Sequence, residues 1–179
     1  MKYFKKNKLI TVLDYSNQQL TELPELPDTL KILFCNDNKL TKLPKLPNSL
    51  KKLYCNNNKL IELPELPNSL EFLNCYTNSL IKLPEIPNSI EYLFCYNNKI
   101  TELYKLPEIL LYLNCEDNNL NELPKIPKSL KKLNCRFNNL PYNNLNQYKK
   151  YINKHKDLIE QYGYTEAMNI LSNTNKYNL

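Results

Sequence analysis

Apolar and polar positions follow one arrangement along this chain, and it returns every 20 residues. Written from its first leucine, the unit is L-x-x-L-x-C-x-x-N-x-L-x-x-L-P-x-L-P-x-x. The second leucine and the cysteine, Leu53 and Cys55 in one copy, are two residues apart and share one side of an extended strand. Residues 52, 54 and 56 point to the other side. Each copy therefore predicts one short strand with a single buried face. Stacked in register, the copies build a parallel sheet with about 4.8 Å between rungs. Asn58 and its equivalents end the strand. Their amides both donate to and accept from backbone groups of the turn and the adjacent rung, and Asn tolerates the left-handed conformation. The return path, L-P-x-L-P, is too short for a helix. Its prolines stand three apart, the period of polyproline II, so Leu63 and Leu66 share one side and face the core. Proline lacks the N–H that a regular ladder on this side would need.

The repetition is nearly free of error. Cys35, Cys55, Cys75, Cys95, Cys115 and Cys135 keep the period, and so do Asn38, Asn58, Asn78, Asn98, Asn118 and Asn138. Copies begin at Ile10, Leu30, Leu50, Leu70, Ile90, Leu110 and Leu130. The first has Tyr15 for Cys and Gln18 for Asn, the deviation expected of a terminal repeat. The expected organisation is a seven-repeat solenoid over residues 10–140 between two end segments, because a solenoid needs its open ends covered. Residues 1–9, with Lys2, Lys5, Lys6 and Lys8, form the N-terminal edge segment. Residues 141–179 form a helical C-terminal cap and tail: Leu145, Tyr148, Ile152, His155, Ile159 and Tyr162 recur at helical spacing. Gly163 is the expected C-cap, and Thr165 starts a second short helix carrying Ala167, Ile170 and Leu171. Glu22, Lys42, Glu62, Lys82, Glu102 and Glu122 stand on successive rungs, most neighbours of opposite sign, which predicts a ladder of exposed ion pairs. Tyr104 takes a proline's place in the fifth return segment, where it bulges outward or touches a neighbour.

The L-x-x-L-x-C-x-x-N-x-L core resembles the leucine-rich repeat. With L-P-x-L-P and the short period, residues 10–140 resemble the repeat domains of YopM- and IpaH-type bacterial effectors and the arrays predicted in AT-rich giant DNA viruses. The resemblance implies a solenoid with a parallel sheet on its concave face, an extended convex side and a role in protein binding. It does not carry over the ubiquitin-ligase activity of IpaH-type effectors. That activity sits in a separate C-terminal domain with a catalytic cysteine, and no cysteine follows Cys135 here.

Composition narrows the reading further. The chain has 179 residues, 42% of them hydrophobic, with a net charge of +6. It holds a single Gly, Ala167 as its one Ala, and Arg136 as its one Arg, against abundant Lys, Asn, Ile and Tyr. That skew follows AT-rich codons, so the lysine excess says little about a nucleic-acid partner. No apolar run approaches the length of a membrane span, the N-terminus lacks the apolar core of a secretory signal, and no Asn lies in an N-x-S/T sequon. The expected location is cytoplasmic, of the producing or a host cell, with no membrane association. One glycine excludes the Gly-rich phosphate and nucleotide motifs. Six cysteines on equivalent inward positions suit neither a single nucleophile nor a zinc site of CxxC spacing. They read as small buried hydrophobes rather than disulfides or metal ligands. His155, the only histidine, reads as a polar cap residue. No cofactor, no metal and no catalytic activity are expected.

Function in a repeat protein lies where the copies differ, and here they differ on the outward face of the sheet. Ile32, Phe34, Tyr54, Phe72, Tyr76, Tyr92, Phe94, Tyr96 and Tyr112 fall together there as one contiguous patch. Lys51, Lys52, Glu71, Glu91, Lys131, Lys132 and Arg136 form its rim. An aromatic centre with a charged rim is the anatomy of a protein interface, and these residues are the expected partner-binding site. The bland alternative is that the rings only stabilise the sheet, at about 0.2–1 kcal/mol per cross-strand pair. The expected function is a non-catalytic protein–protein interaction module, monomeric. The alternatives are a self-associating scaffold and, third, a basic nucleic-acid-binding surface, which the mixed signs of the rim disfavour.

Overall fold

The computed structural model describes residues 9–176. The expected N-terminal edge segment, apart from Leu9, lies outside them. Seven three-residue strands follow one another: β1 (Val12–Asp14), β2 (Ile32–Phe34), β3 (Lys52–Tyr54), β4 (Phe72–Asn74), β5 (Tyr92–Phe94), β6 (Tyr112–Asn114) and β7 (Lys132–Asn134). They form one parallel sheet in sequence order. Each residue pairs with the residue 20 positions on, as in Leu33↔Leu53 and Leu53↔Leu73. The chain is a solenoid whose rungs are the repeats and whose return segments run extended on the convex side.

The inward positions make the core. Leu30, Leu33, Cys35, Leu40, Leu43 and Leu46 of the second rung are all buried, and the next rungs reproduce that set. Each large aliphatic side chain so buried stabilises by about 1.5–3 kcal/mol. In the first rung Leu13, Tyr15, Leu20, Leu23 and Leu26 are only partly buried. All six cysteines are free and buried.

Two side-chain ladders hold the rungs in register. Asn58 Nδ2 donates to the Cys35 carbonyl of the preceding rung (2.9 Å) and the Cys55 carbonyl of its own (3.1 Å), while its Oδ1 accepts from the Leu40 N–H (3.0 Å). Asn78, Asn98, Asn118 and Asn138 repeat these bonds. The left-handed conformation falls one residue earlier than expected: Asp37, Asn57, Thr77, Asn97, Asp117 and Phe137 have φ between 49° and 56°. The ladder asparagine must aim its amide inward, so the variable residue before it turns the corner. The second ladder was not anticipated. Ser49, Ser69, Ser89 and Ser129 each donate a hydroxyl to the carbonyl of Leu30, Leu50, Leu70 and Leu110 in the preceding rung at 2.6–2.7 Å. Ile109 occupies that position in the fifth return segment and interrupts it.

The expected charge ladder does not form. Among the described residues the ion pairs within 4 Å are Lys51–Glu71 and Lys156–Glu160. Side chains at exposed convex positions gain too little from pairing across a rung to hold one geometry. Tyr104 is exposed, its hydroxyl 3.3 Å from Glu102 Oε1. It borders an open groove of about 680 Å³ that also takes in Met168.

The C-terminal end is closed by helices. Asn144 leaves the sheet through a bridge to Asn134 and caps helix α1 (Leu145–Lys154), its side chain accepting from the N–H groups of Asn146 and Gln147. Asn143 supplies the carbonyl that Cys135 N–H would find in a further rung, at 3.1 Å. Tyr142 is buried in the open end of the core, edge-on to Tyr148 at 5.1 Å. The single long helix expected over 145–162 is two, α1 and α2 (Lys156–Tyr162). They part at His155, whose N–H is shared between the Tyr151 and Ile152 carbonyls. The third, α3 (Tyr164–Lys176), is longer than expected and begins directly after Gly163. No helix among the described residues is long and apolar enough to cross a membrane.

Candidate functional site

Each strand sends two side chains out of the concave face, and strict register aligns them in columns. The first column reads Val12, Ile32, Lys52, Phe72, Tyr92, Tyr112, Lys132, and the second Asp14, Phe34, Tyr54, Asn74, Phe94, Asn114, Asn134. Neither column is aromatic throughout, yet the rings form an unbroken stripe. Phe34 stacks on Tyr54 at 4.7 Å, Tyr54 meets Phe72 at 4.8 Å, Phe72 meets Phe94 at 5.5 Å, and Phe94 stacks on Tyr112 at 5.0 Å. Where the second column carries Asn74 or Asn114, the ring of the first column on the same strand leans across and fills the gap. Tyr92 joins at 6.0 Å from Phe72 and is 38% exposed.

The remaining predicted residues take separate places. Tyr76 and Tyr96 stack on each other at 4.3 Å and 10°. No ring contact among the described residues joins them to the stripe, so the rings form two stacks. Their positions lie two residues beyond the second column, about 7 Å further along the strand direction. Ile32 stands between Val12 and Lys52 in register, second in the first column. Phe34, Phe72 and Phe94 are half-buried rather than open to water, because neighbouring rings cover their faces.

The polar groups around the stripe are mostly engaged. The Asp14 carboxylate accepts from the hydroxyl and N–H of Ser16, which hold it below the usual carboxylate range. Glu71 pairs with Lys51 at 2.6 Å, and Glu116 accepts from Asn134 Nδ2 at 2.7 Å. Asn114 Oδ1 accepts from the Glu116 N–H at 3.1 Å. Asn74 Oδ1, in the equivalent place within the stripe, is buried with no partner, a residue that sequence reasoning passed over. Burial, with Tyr76 and Glu116 beside it, pushes the Tyr96 hydroxyl up to about 12. Lys132 Nζ lies 5.8 Å from the centre of the Tyr112 ring, while Lys52, Lys131 and Arg136 are exposed.

The thiols offer little chemistry. Burial pushes those of Cys35, Cys95 and Cys135 up to about 12, and those of Cys55, Cys75 and Cys115 well above the ordinary value. A nucleophile needs the opposite shift and an open approach. His155 packs its ring against Tyr151 at 4.7 Å, and burial with Lys154 lowers its pKa. Among the described residues no three His, Cys, Asp or Glu side chains gather as a metal site requires.

No family model and no curated protein matches the chain. Solved structures do. A Shigella effector LRR domain is 32% identical, with a TM-score of 0.65 over 80% of this chain and 74% of that one. The chain belongs to the leucine-rich repeat family. YopM from Yersinia enterocolitica WA-314 is 42% identical, with a TM-score of 0.66 over 67% of this leucine-rich repeat chain. The match spans 27% of that longer YopM chain. Leucine-rich repeat folds of this effector-like kind are in general interaction scaffolds rather than catalysts.

Proposed function

We propose that this leucine-rich repeat protein is a non-catalytic, cytoplasmic module that binds a protein partner on its concave face. Its solenoid, residues 10–140, is the binding unit, and residues 141–179 are its cap and tail. The observation that carries the reading is the stripe of rings from Phe34 to Tyr112, unbroken across five strands. Aromatic side chains at the centre of a surface are the usual anchors of protein interfaces. Sheet stabilisation alone accounts less well for the stripe, since the same contacts are available to β-branched residues that leave less apolar area exposed.

Nucleic acid is the weaker partner on the same geometry. Bases bind by laying their faces on ring faces, and in both stacks the faces between neighbouring rings are already laid against each other, leaving fewer for bases. Partner capture by the wild type against Phe34→Ser/Phe94→Ser tests the reading. Loss of capture with an unchanged circular dichroism spectrum is expected. Equal capture of the same partners removes the concave face from consideration.

A further inference from the structure

Resting on the concave-face reading, the charge arrangement points to one kind of occupant. The geometry points to an acidic protein segment with an apolar centre, laid across the strands so that its carboxylates meet Lys52 at one end and Lys132 at the other.

Three observations lead there. The first is which charges remain free. Glu71 is neutralised by Lys51, whereas Asp14 and Glu116, hydrogen-bonded to the neutral Ser16 and Asn134, keep their charge. Lys31, Lys52, Lys131, Lys132 and Arg136 have no carboxylate within 4 Å among the described residues, and Lys132 lies only over the Tyr112 ring. Glu91 likewise has no cation within 4 Å among the described residues. Lys31, Lys52, Lys131, Lys132 and Arg136 thus outnumber the unpaired carboxylates Asp14, Glu91 and Glu116, and the balance is positive.

The second observation is placement. Register sets Lys52, Phe72, Tyr92, Tyr112 and Lys132 in one column. Two lysines thus flank three rings, four rungs or roughly 19 Å apart. An extended segment of about six residues covers that distance.

The third is what the rings present. Neighbouring rings cover part of one another's faces, so a ligand meets ring edges as well as faces, and a ring edge is the positive pole of the aromatic quadrupole. Acceptor oxygens and aromatic faces are attracted to such edges. The face therefore suits an acceptor-rich, acidic strip with tyrosine or leucine at its middle.

The test uses the full chain and a fluorescent synthetic peptide with glutamates at both ends of an alternating leucine–tyrosine centre. Anisotropy measures binding by the wild type, by Lys52→Glu/Lys132→Glu, and by Lys42→Glu/Lys82→Glu, a control with the same charge change on the convex side. The expected result is binding by the wild type and the control, weakened at least about tenfold in Lys52→Glu/Lys132→Glu. The same peptide with lysines in place of glutamates is expected not to bind. The proposal is overturned if the lysine peptide binds as well, if the control weakens equally, if the wild type binds neither peptide, or if an oligothymidylate displaces the acidic one at lower concentration. Partner capture separates this from the reading beneath it. Capture lost in Phe34→Ser/Phe94→Ser but untouched by Lys52→Glu/Lys132→Glu keeps the face as the site and removes the acidic occupant.

Discussion

At the scale of single residues, the asparagine ladder and the left-handed corner before it fix how one rung meets the next. Asn118 donates to the carbonyls of Cys95 and Cys115 and accepts from the Ile100 N–H. Asn118→Ala strands these backbone groups away from water. We expect a loss of roughly 2–4 kcal/mol, read as a lowered midpoint in urea denaturation. Thr77 is a β-branched residue held at φ 49°, a region that L-residues other than Asn, Asp and Gly enter at a cost of about 1–2 kcal/mol. Its hydroxyl accepts from Asn97 Nδ2, as the Asp37 carboxylate does from Asn57. Thr77→Asn keeps an acceptor and removes the strain, so it should raise stability by about 0.5–1 kcal/mol. No gain in the urea midpoint would mean that the corner is not strained by its side chain.

At the scale of elements, rung-to-rung bonds decide what a repeat tolerates. In the fifth return segment Ile109, 46% exposed, stands where a hydroxyl elsewhere reaches the preceding rung. Ile109→Ser supplies that donor to the Ile90 carbonyl and is expected to stabilise by about 0.5–1.5 kcal/mol; a thermal midpoint unchanged or lowered would count against the serine ladder. The strands, their register and the inward leucines were legible in the sequence because a period of 20 repeats each signal several times. The serine ladder was just as periodic, but a serine two residues after proline reads as ordinary turn chemistry until the carbonyl of the preceding rung is seen beside it. The break at His155 was not legible, since the apolar spacing runs through it uninterrupted. Tyr142 was missed because it follows the last repeat and has no period of its own. The outward columns were legible from strand alternation alone. Their division into two stacks was not, because it depends on Phe72 and Tyr112 leaning over Asn74 and Asn114, a choice of side-chain direction.

At the scale of the whole molecule, the six stacked cysteines couple the fold to alkaline pH. Their folded-state pKa values lie at about 12 or well above the ordinary value, chiefly through burial. In the unfolded chain each ionises near about 8.5. Below that pH both states hold the protons and the thiols have no effect. Above it the unfolded state releases protons that the folded state keeps, so stability falls as pH rises until the folded thiols themselves ionise. Each thiol lowers stability by about 1.4 kcal/mol per pH unit in this window, and the six together by roughly 8 kcal/mol per unit. A domain is typically stable by about 5–15 kcal/mol, so about one to two pH units exhaust it. The protein should therefore unfold cooperatively near pH ~10, although no exposed group needs to titrate for it to do so. Circular dichroism against pH checks this, and Ellman's reagent at neutral pH checks its cause: the native thiols should stay unreactive until denaturant is added. Cys55→Ala/Cys95→Ala should lower stability at neutral pH through lost packing, yet make the decline between pH ~9 and ~10 shallower by about a third. A fold that stays intact to pH ~11, or a decline no shallower in that variant, would show that the buried thiols do not set its alkaline limit.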